Sequence, residues 1–401
     1  MKILLVIDGM HPRHGGPPPV VAGSAIALIS LGHQVTVITT VTPGDEPAVR
    51  QAWAKMLEAG VALKFFAPIG LRDLLLWPKE KQHLKREVES ADVVHLHGIW
   101  NPILLVVGKL ARESAIPYLV SVHGVLDHRA IKRVRRKWIK KRLAISLFRI
   151  GNFLQEASSV IFGSEAEASE SWMLGRKLKV VFIGNGADAY SNIENADPVL
   201  LKKFQAIAPG YESWGPVLLS HSRIHPEKGL DMLVAAFSAV AHDFPEARLL
   251  IAGLRQDIAF EQRIIDLIAQ SPISKRIIFT TELTGPKSLF LYKLCDVFVL
   301  PSIAEGFSVA LTQALANAKP VLVTRFCHMP IIADMQAGFV VEPEVGSIAN
   351  GLRSMLSLSA IEIGLMGANA RQVFESNYTW EIIGIKLVEA YGSAISEMKR
   401  S

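Results

Sequence analysis

Short apolar runs rich in β-branched residues alternate with longer stretches of helical period along most of the chain. In the first half, the runs at 2–8, 34–39, 93–96, 118–122, 159–162 and 180–183 read as strands, with Val35, Val37 and Ile38 supplying the bulk of the second. The loop His11 to Gly16 follows the first run and leads into an apolar helical stretch over Pro19 to Leu31. Runs that are apolar throughout belong to strands buried on both faces. Strand–helix alternation with tight loops therefore predicts a parallel, doubly wound α/β sheet.

The pattern lapses over 187–215, where Asp197-Pro198, Pro209-Gly210 and Gly215-Pro216 interrupt it, and a linker is the simplest reading. Alternation then restarts, with strands expected at 217–220, 248–252, 276–280, 297–300 and 320–323 and helices at Gly229–His242 and Phe307–Asn317 between them. A final helical segment runs from Trp380 to Met398. The expected organisation is an N-terminal domain over 1–190, a linker over 191–215, a second domain over 216–375 and a C-terminal helix over 376–401. A chain of 401 residues also exceeds the size at which one core keeps growing.

Composition changes this picture little. Half of the residues are hydrophobic (50%) and 20% are charged, which excludes disorder across the whole chain. No run approaches the roughly 18 apolar residues of a membrane-spanning helix. The opening run Met1–Ile7 meets Asp8 and Gly9 at once, so it predicts a first strand rather than a signal peptide. Cys295 and Cys327 form no disulfide framework and lack partners at metal-ligand spacing, so a cytoplasmic protein without a metal centre is expected.

Charge is more informative locally than in total, the net value being +6. Between Arg129 and Arg142 stand Lys132, Arg133, Arg135, Arg136, Lys137, Lys140 and Lys141, with no acidic residue until Glu156. On a helix, Ile131, Val134, Trp138 and Ile145 fall near one stripe, which suits an interfacial helix on an anionic membrane over 129–149. A core-packed helix with a solvated basic face is the other reading. The segment has few aromatic residues for base stacking, so nucleic acid is not expected as a partner.

Ligands of an open parallel sheet bind at the carboxyl ends of its strands. Ser222-Arg-Ile-His-Pro-Glu-Lys228-Gly229 follows the first strand of the second half. Arg223 and Lys228 lie around a turn at a helix start, where two cations and free N–H groups can converge on a diphosphate; a solvated turn is the alternative. Pro301-Ser-Ile-Ala-Glu305-Gly306-Phe307-Ser308 leads into a helix carrying Gln313. Glu305 and Gln313 share one helix face if the helix begins at Glu305, and a carboxylate with a carboxamide suits sugar hydroxyls. A capping Glu and a surface Gln would give the same pattern. His123 stands at a strand end in Val120-Ser-Val-His-Gly-Val, a position open to an active-site role. His95 and His97 share a strand face without a third ligand, so they are expected to line a cleft rather than bind zinc. Trp100 and Asn101 could stack on and hydrogen-bond an acceptor sugar, or could pack.

The two motifs, in this order, resemble the retaining glycosyltransferases of family 4, with a GT-B fold of two Rossmann-like domains facing a central cleft. The likeness covers nearly the whole chain: Gly15-Gly16 in the first-strand loop, His123-Gly124, Asn185-Gly186, Arg223 to Lys228-Gly229, and Glu305 to Gln313. It implies a C-terminal helix that crosses back to the N-terminal domain. It further implies that Arg223 and Lys228 bind the donor diphosphate and stabilise the leaving group without a metal. Glu305 would hold hydroxyls of the transferred sugar, the backbone of Gly306, Phe307 and Ser308 would face sugar or phosphate, and position 313 would contact the ribose. Gly15 and Gly16 would let the backbone approach the phosphate or acceptor, and His123 would sit near the reacting sugar. The family's second glutamate is Gln313 here, which retains an acceptor and adds a donor.

The expected function is transfer of a hexose-type sugar from a nucleotide sugar, as co-substrate, to a glycan acceptor, lipid-linked, in exopolysaccharide or lipopolysaccharide assembly. The expected place is the cytoplasm, at the inner face of the membrane, with no other cofactor. A nucleotide-sugar epimerase and a degenerate, non-catalytic relative are the alternatives. A dinucleotide oxidoreductase is excluded: the first loop lacks G-x-G-x-x-G, and the second strand ends in Thr39-Thr40 rather than an acidic residue.

Overall fold

The computed structural model describes residues 1–68, 78–126, 149–169, 171, 177–188, 198–283 and 286–400. The chain divides into two compact units, Met1–Gly186 with Trp380–Ser401, and Ala187–Thr379.

In the first unit the strands are β1 (Lys2–Ile7), β2 (Gln34–Thr40), β3 (Ala62–Phe66), β4 (Val93–His97), β5 (Tyr118–Ser121), β6 (Ser159–Phe162) and β7 (Val180–Phe182). They form one parallel sheet in the order β3-β2-β1-β4-β5-β6-β7. Side chains alternate across the pleat. On β1, Leu4 and Val6 enter one core with Val94, Leu96 and Val120, while Ile3, Leu5 and Ile7 enter the opposite core with Val35 and Val37. Both faces are thus buried, as the unbroken apolar runs require.

Helix Pro102–Glu113 covers the first of these faces through Ile103, Leu104 and Val107. Helix Pro17–Ser30 and the C-terminal helix Trp380–Met398 cover the other. Two glycines admit the Trp380 indole: a Cβ at Gly23 would lie 2.1 Å from the ring, and one at Gly186 would lie 2.4 Å from it. The C-terminal helix therefore belongs to the first unit.

The second unit contains β8 (Val217–His221), β9 (Arg248–Ala252), β10 (Ile277–Thr280), β11 (Val297–Leu300), β12 (Val321–Thr324) and β13 (Gly338–Val341). Its parallel order is β10-β9-β8-β11-β12-β13. In each sheet the strand order reverses beside the first strand, at β1/β4 and at β8/β11. The loops after those strands meet at such a point.

Three features differ from the sequence reading. Strands β3 and β13 escape the hydrophobic pattern: β3 is interrupted by Lys64, and β13 begins at Gly338, whose Cβ would lie 1.9 Å from the Val321 carbonyl. The stretch read as a linker contains helix Pro198–Ile207, with Phe204 and Ala208 buried in the second unit's core. The apolar run of that helix, which also packs Leu200 and Leu201 on that core, is short and stands between Asp197-Pro198 and Pro209-Gly210, the turn signals that suggested a linker. The helix after β11 spans Val309–Ala316 with Ser308 as its N-cap, so Glu305 lies in the preceding loop and shares no helix face with Gln313. Ser308 accepts from Leu311 N at 3.3 Å and stops the helix from starting earlier. The basic segment, with Lys132, Arg133, Arg136 and Trp138, lies outside the described residues except for Arg149. Among the described residues no helix is long and apolar enough to cross a membrane.

Candidate functional site

In the second unit the loops after β8 and β11 are laced together. Ile303 N donates to the Glu227 carbonyl at 2.9 Å. Gly229 has φ +63°, and a Cβ there would lie 2.2 Å from the Pro301 carbonyl oxygen. Only glycine satisfies both constraints, so the loops approach through this residue.

This approach brings Lys228 to Glu305. Both are buried, at 7% and 8% exposure, and Lys228 Nζ donates to Glu305 Oε1 at 2.5 Å. Ser302 Oγ donates to the same oxygen at 2.7 Å. A buried pair of opposite charge persists only with such added hydrogen bonds. Beneath it, Cys327 is free and buried, its thiol pushed up to about 12 by burial first and the Glu305 charge second.

Arg223, expected to converge with Lys228, instead donates from Nη1 to Gln256 Oε1 at 2.8 Å, in the loop after β9. A Cβ on Gly253 would lie 1.6 Å from the Ser222 carbonyl oxygen, which shows how closely this third loop joins the first. Between the two cations, Glu227 is held below its ordinary carboxyl range. The hydrogen bond with His225 is the main cause, burial opposes it, and the charges of His225, Arg223 and Lys228 add to it.

Gln313 is buried, and its Nε2 donates to the Asp188 carbonyl. Phe307 packs edge-on against Tyr378, ring centroids 5.6 Å apart. Gly306 is half-buried beside it. His221, which the sequence reading passed over, ends β8. It bonds Tyr292 Oη at 3.2 Å through Nδ1, and burial pushes its imidazole down to about 4.

In the first unit, Gly15 takes φ +82° and Gly16 precedes helix Pro17–Ser30, so the loop after β1 turns sharply into a helix N-terminus. Asn101 caps helix Pro102–Glu113, its Oδ1 accepting from Ile103 N at 3.1 Å. Trp100, half-buried, packs against the core on that side. His95 and His97 are buried rather than lining an open surface, at 1% and 3% exposure. They are consecutive residues on one face of β4, with ring centroids 4.1 Å apart.

His123 has φ +49°, a left-handed conformation unusual for a residue other than glycine. The backbone around it is pinned by Glu167, another group the sequence reading missed. This buried carboxylate accepts from Gly124 N at 2.6 Å and from Gly163 N at 2.7 Å, joining the loops after β5 and β6. The available signal was Ser164-x-x-Glu167, a capping-box spacing, and Glu167 N does bond Ser164 Oγ at 3.1 Å. His123 Nε2 lies 3.0 Å from His97 Nδ1.

Two parallel α/β units with strand-end loops joined at the β8/β11 switch point are the architecture of a GT-B protein. The family described as Glycosyltransferase Family 4 matches residues 14–190, and the family described as Glycosyl transferases group 1 matches residues 208–373. The chain belongs to the family 4 glycosyltransferases. An uncharacterized glycosyltransferase of Methanocaldococcus jannaschii is 25% identical over the whole of both chains (100% of each). A GDP-mannose:cellobiosyl-diphosphopolyprenol alpha-mannosyltransferase of Xanthomonas oryzae pv. oryzae is 24% identical, covering 98% of this chain and 97% of its own. Among solved structures, Anabaena HepE in complex with UDP superposes with TM-score 0.74 at 18% identity, over 98% of this chain and 100% of its own.

Proposed function

We propose that this glycosyltransferase moves a hexose from a nucleoside-diphosphate sugar to a lipid-linked glycan acceptor, with retention at the anomeric carbon and no metal ion. Assembly of a surface polysaccharide at the inner face of the cytoplasmic membrane is the setting this implies. The observation that carries the reading is the buried Lys228–Glu305 pair at the β8/β11 switch point. Such a pair sets a cation for phosphate next to a carboxylate for hydroxyls, the two chemistries of a sugar nucleotide. Arg223 reaches the diphosphate by exchanging Gln256 for phosphate oxygen.

In the proposed step the bond from the anomeric carbon to the β-phosphate oxygen breaks as the acceptor oxygen bonds to that carbon from the same face. The acceptor's hydroxyl proton passes to the departing phosphate oxygen. Lys228 and Arg223 stabilise the negative charge that builds on the diphosphate, where fixed cations act without reorganisation. Glu305 orients the sugar through its hydroxyls. Gln313 offers its Oε1 to a ribose hydroxyl, and His123 touches the reacting sugar. The diphosphopolyprenol acceptor named for the Xanthomonas relative supports a lipid-linked acceptor here.

The test is turnover. Purified protein is given UDP-, GDP- and ADP-hexoses with EDTA and polyprenyl-diphosphate-linked disaccharides, and nucleoside diphosphate release is followed with the anomeric configuration of the product. The reading predicts release with one base and an axial or equatorial linkage matching the donor. Inverted product, or activity abolished by EDTA and restored by a divalent metal, contradicts it.

A further inference from the structure

His95 and His97 project from one face of β4, and β5 lies beside it. His95 is fully engaged: Nδ1 meets Tyr391 Oη at 2.7 Å and Nε2 meets Ser121 Oγ at 2.8 Å. It has no nitrogen left for His97. His97 uses Nδ1 on His123 Nε2 at 3.0 Å, with the rings nearly parallel at 16° and centroids 5.2 Å apart. Its other nitrogen, Nε2, is buried without a hydrogen-bond partner among the described residues.

One proton lies between His97 and His123, and the orphan nitrogen decides its side. Burial pushes His123 down to about 4 and His97 well below its ordinary value, so near neutral pH each ring carries a single proton. If His123 Nε2 carried the bridging proton, His97 would hold its own proton at Nε2, a buried N–H with no acceptor. Buried N–H groups without partners are rare, and such a group keeps its full desolvation cost. If His97 carries the proton at Nδ1, only a lone pair is left unmatched at Nε2. The second arrangement follows. It makes His123 Nε2 an acceptor and places the proton of His123 on Nδ1.

We propose that His97 is a positioning residue that fixes His123 as its Nδ1–H tautomer, so that His123 meets its ligand as a hydrogen-bond donor and not as a base. The backbone of His123 is already held by Glu167 through Gly124 N. The tautomer and ring plane are what remain to be set, and His97 sets both. This deepens the reading of His123 as a sugar-contacting residue and rests on that reading only for its effect on turnover.

The test uses the full chain labelled with ring-¹⁵N histidine. Long-range ¹H–¹⁵N correlation spectra distinguish imidazole tautomers, and His97→Asn and His123→Asn assign the two rings among the 12 histidines. The expected result is Nδ1–H at His123 in the native chain. His97→Asn keeps a donor at the Nδ1 position and should preserve that tautomer. His97→Phe keeps a ring but no donor, and should move His123 to Nε2–H or a mixture.

Turnover is then expected to follow: kcat falls about 10- to 100-fold in His97→Phe with KM for the donor nearly unchanged, and His97→Asn restores most of it. An Nε2–H signal at His123 in the native chain overturns the proposal, and that measurement needs no variant to fold. So does a His123 tautomer indifferent to His97→Phe. If the tautomer shifts as expected while no nucleotide sugar is turned over by any form, the tautomer assignment stands and the transferase reading of His123 fails instead.

Discussion

Lys228 donates to Glu305 from a loop 77 positions earlier in the chain, and both side chains are nearly sealed from solvent. The contact joins the strand-end loops of β8 and β11 and places the two chemically distinct groups of the proposed donor site side by side. Removing one partner leaves the other charge buried and unmatched. Lys228→Ala should therefore destabilise the fold by about 3–5 kcal/mol, and the double variant Lys228→Ala/Glu305→Ala by less than the sum of the single losses. Urea unfolding of the four forms measures this, and strictly additive losses would show that the two groups act independently.

Gly229 makes that contact possible. At Gly32 the backbone is also left-handed, φ +81°, but no heavy atom lies within 4 Å of a Cβ there. Gly32→Ala should cost only the backbone preference, about 1–2 kcal/mol. Gly229→Ala adds the collision with Pro301 O and should cost more, with nucleotide binding lost as the two loops separate. Thermal unfolding of the two variants compares them directly; equal shifts would deny that the loops meet through Gly229.

Four imidazoles are held in neutral form: His95, pushed to about 3, His123 and His221, each pushed to about 4, and His97, pushed well below its ordinary value. Burial is the leading cause in all four, with neighbouring histidine charges adding at His95 and His97. An unfolded histidine titrates near 6.5, so between pH 6.5 and 4 the unfolded chain binds more protons than the folded one. Stability is then fully present above pH 6.5 and falls with acidification toward pH 4, on the order of 1 kcal/mol per pH unit or more. Denaturation midpoints between pH 7.5 and 4.5 follow this loss. A flat profile would place these rings in contact with water.

Restoring the glutamate typical of the family at position 313 should harm this chain. Gln313 Nε2 donates to the Asp188 carbonyl, a bond that a carboxylate cannot make. Gln313→Glu would set two acceptors against each other and should cost about 1–3 kcal/mol, with weaker nucleotide binding. Calorimetric melting with and without nucleoside diphosphate provides the measure. A stabilised variant that binds nucleotide more tightly would show that Gln313 serves the ribose alone.

The sequence revealed the parts of the fold that bury continuous apolar surface. The central strands β1, β4, β8 and β11 read clearly because both of their faces are covered, whereas β3, interrupted by Lys64, and β13, opening on Gly338, did not. Helix Pro198–Ile207 looked like a linker because Asp197-Pro198 and Pro209-Gly210 bracket it, although Leu200, Leu201 and Phe204 pack on the core. For the site, residue type and strand-end position pointed to Arg223, Lys228, Glu305 and Gln313, but not to their partners. Nothing local in the sequence joins Gln256 to Arg223, Asp188 to Gln313 or Gly124 to Glu167, because those contacts depend on which loops the strand order makes neighbours. The histidines at 95 and 97 read as cleft-lining because imidazole is polar; Tyr391 and Ser121 make His95 tolerable in the interior.

The most direct test of a nucleotide-sugar site on the second unit is calorimetric titration of the native chain and Arg223→Ala with UDP, GDP and ADP, all with EDTA. Arg223 is the suitable probe because it is only half-buried and its partner is a neutral glutamine, so its loss leaves no buried charge. The account predicts selective binding of one nucleoside diphosphate by the native chain, weakened at least about tenfold in Arg223→Ala, a loss of roughly 1.4 kcal/mol or more. A folded native chain that binds none of the three, or an Arg223→Ala chain that binds as tightly as the native one, would contradict it.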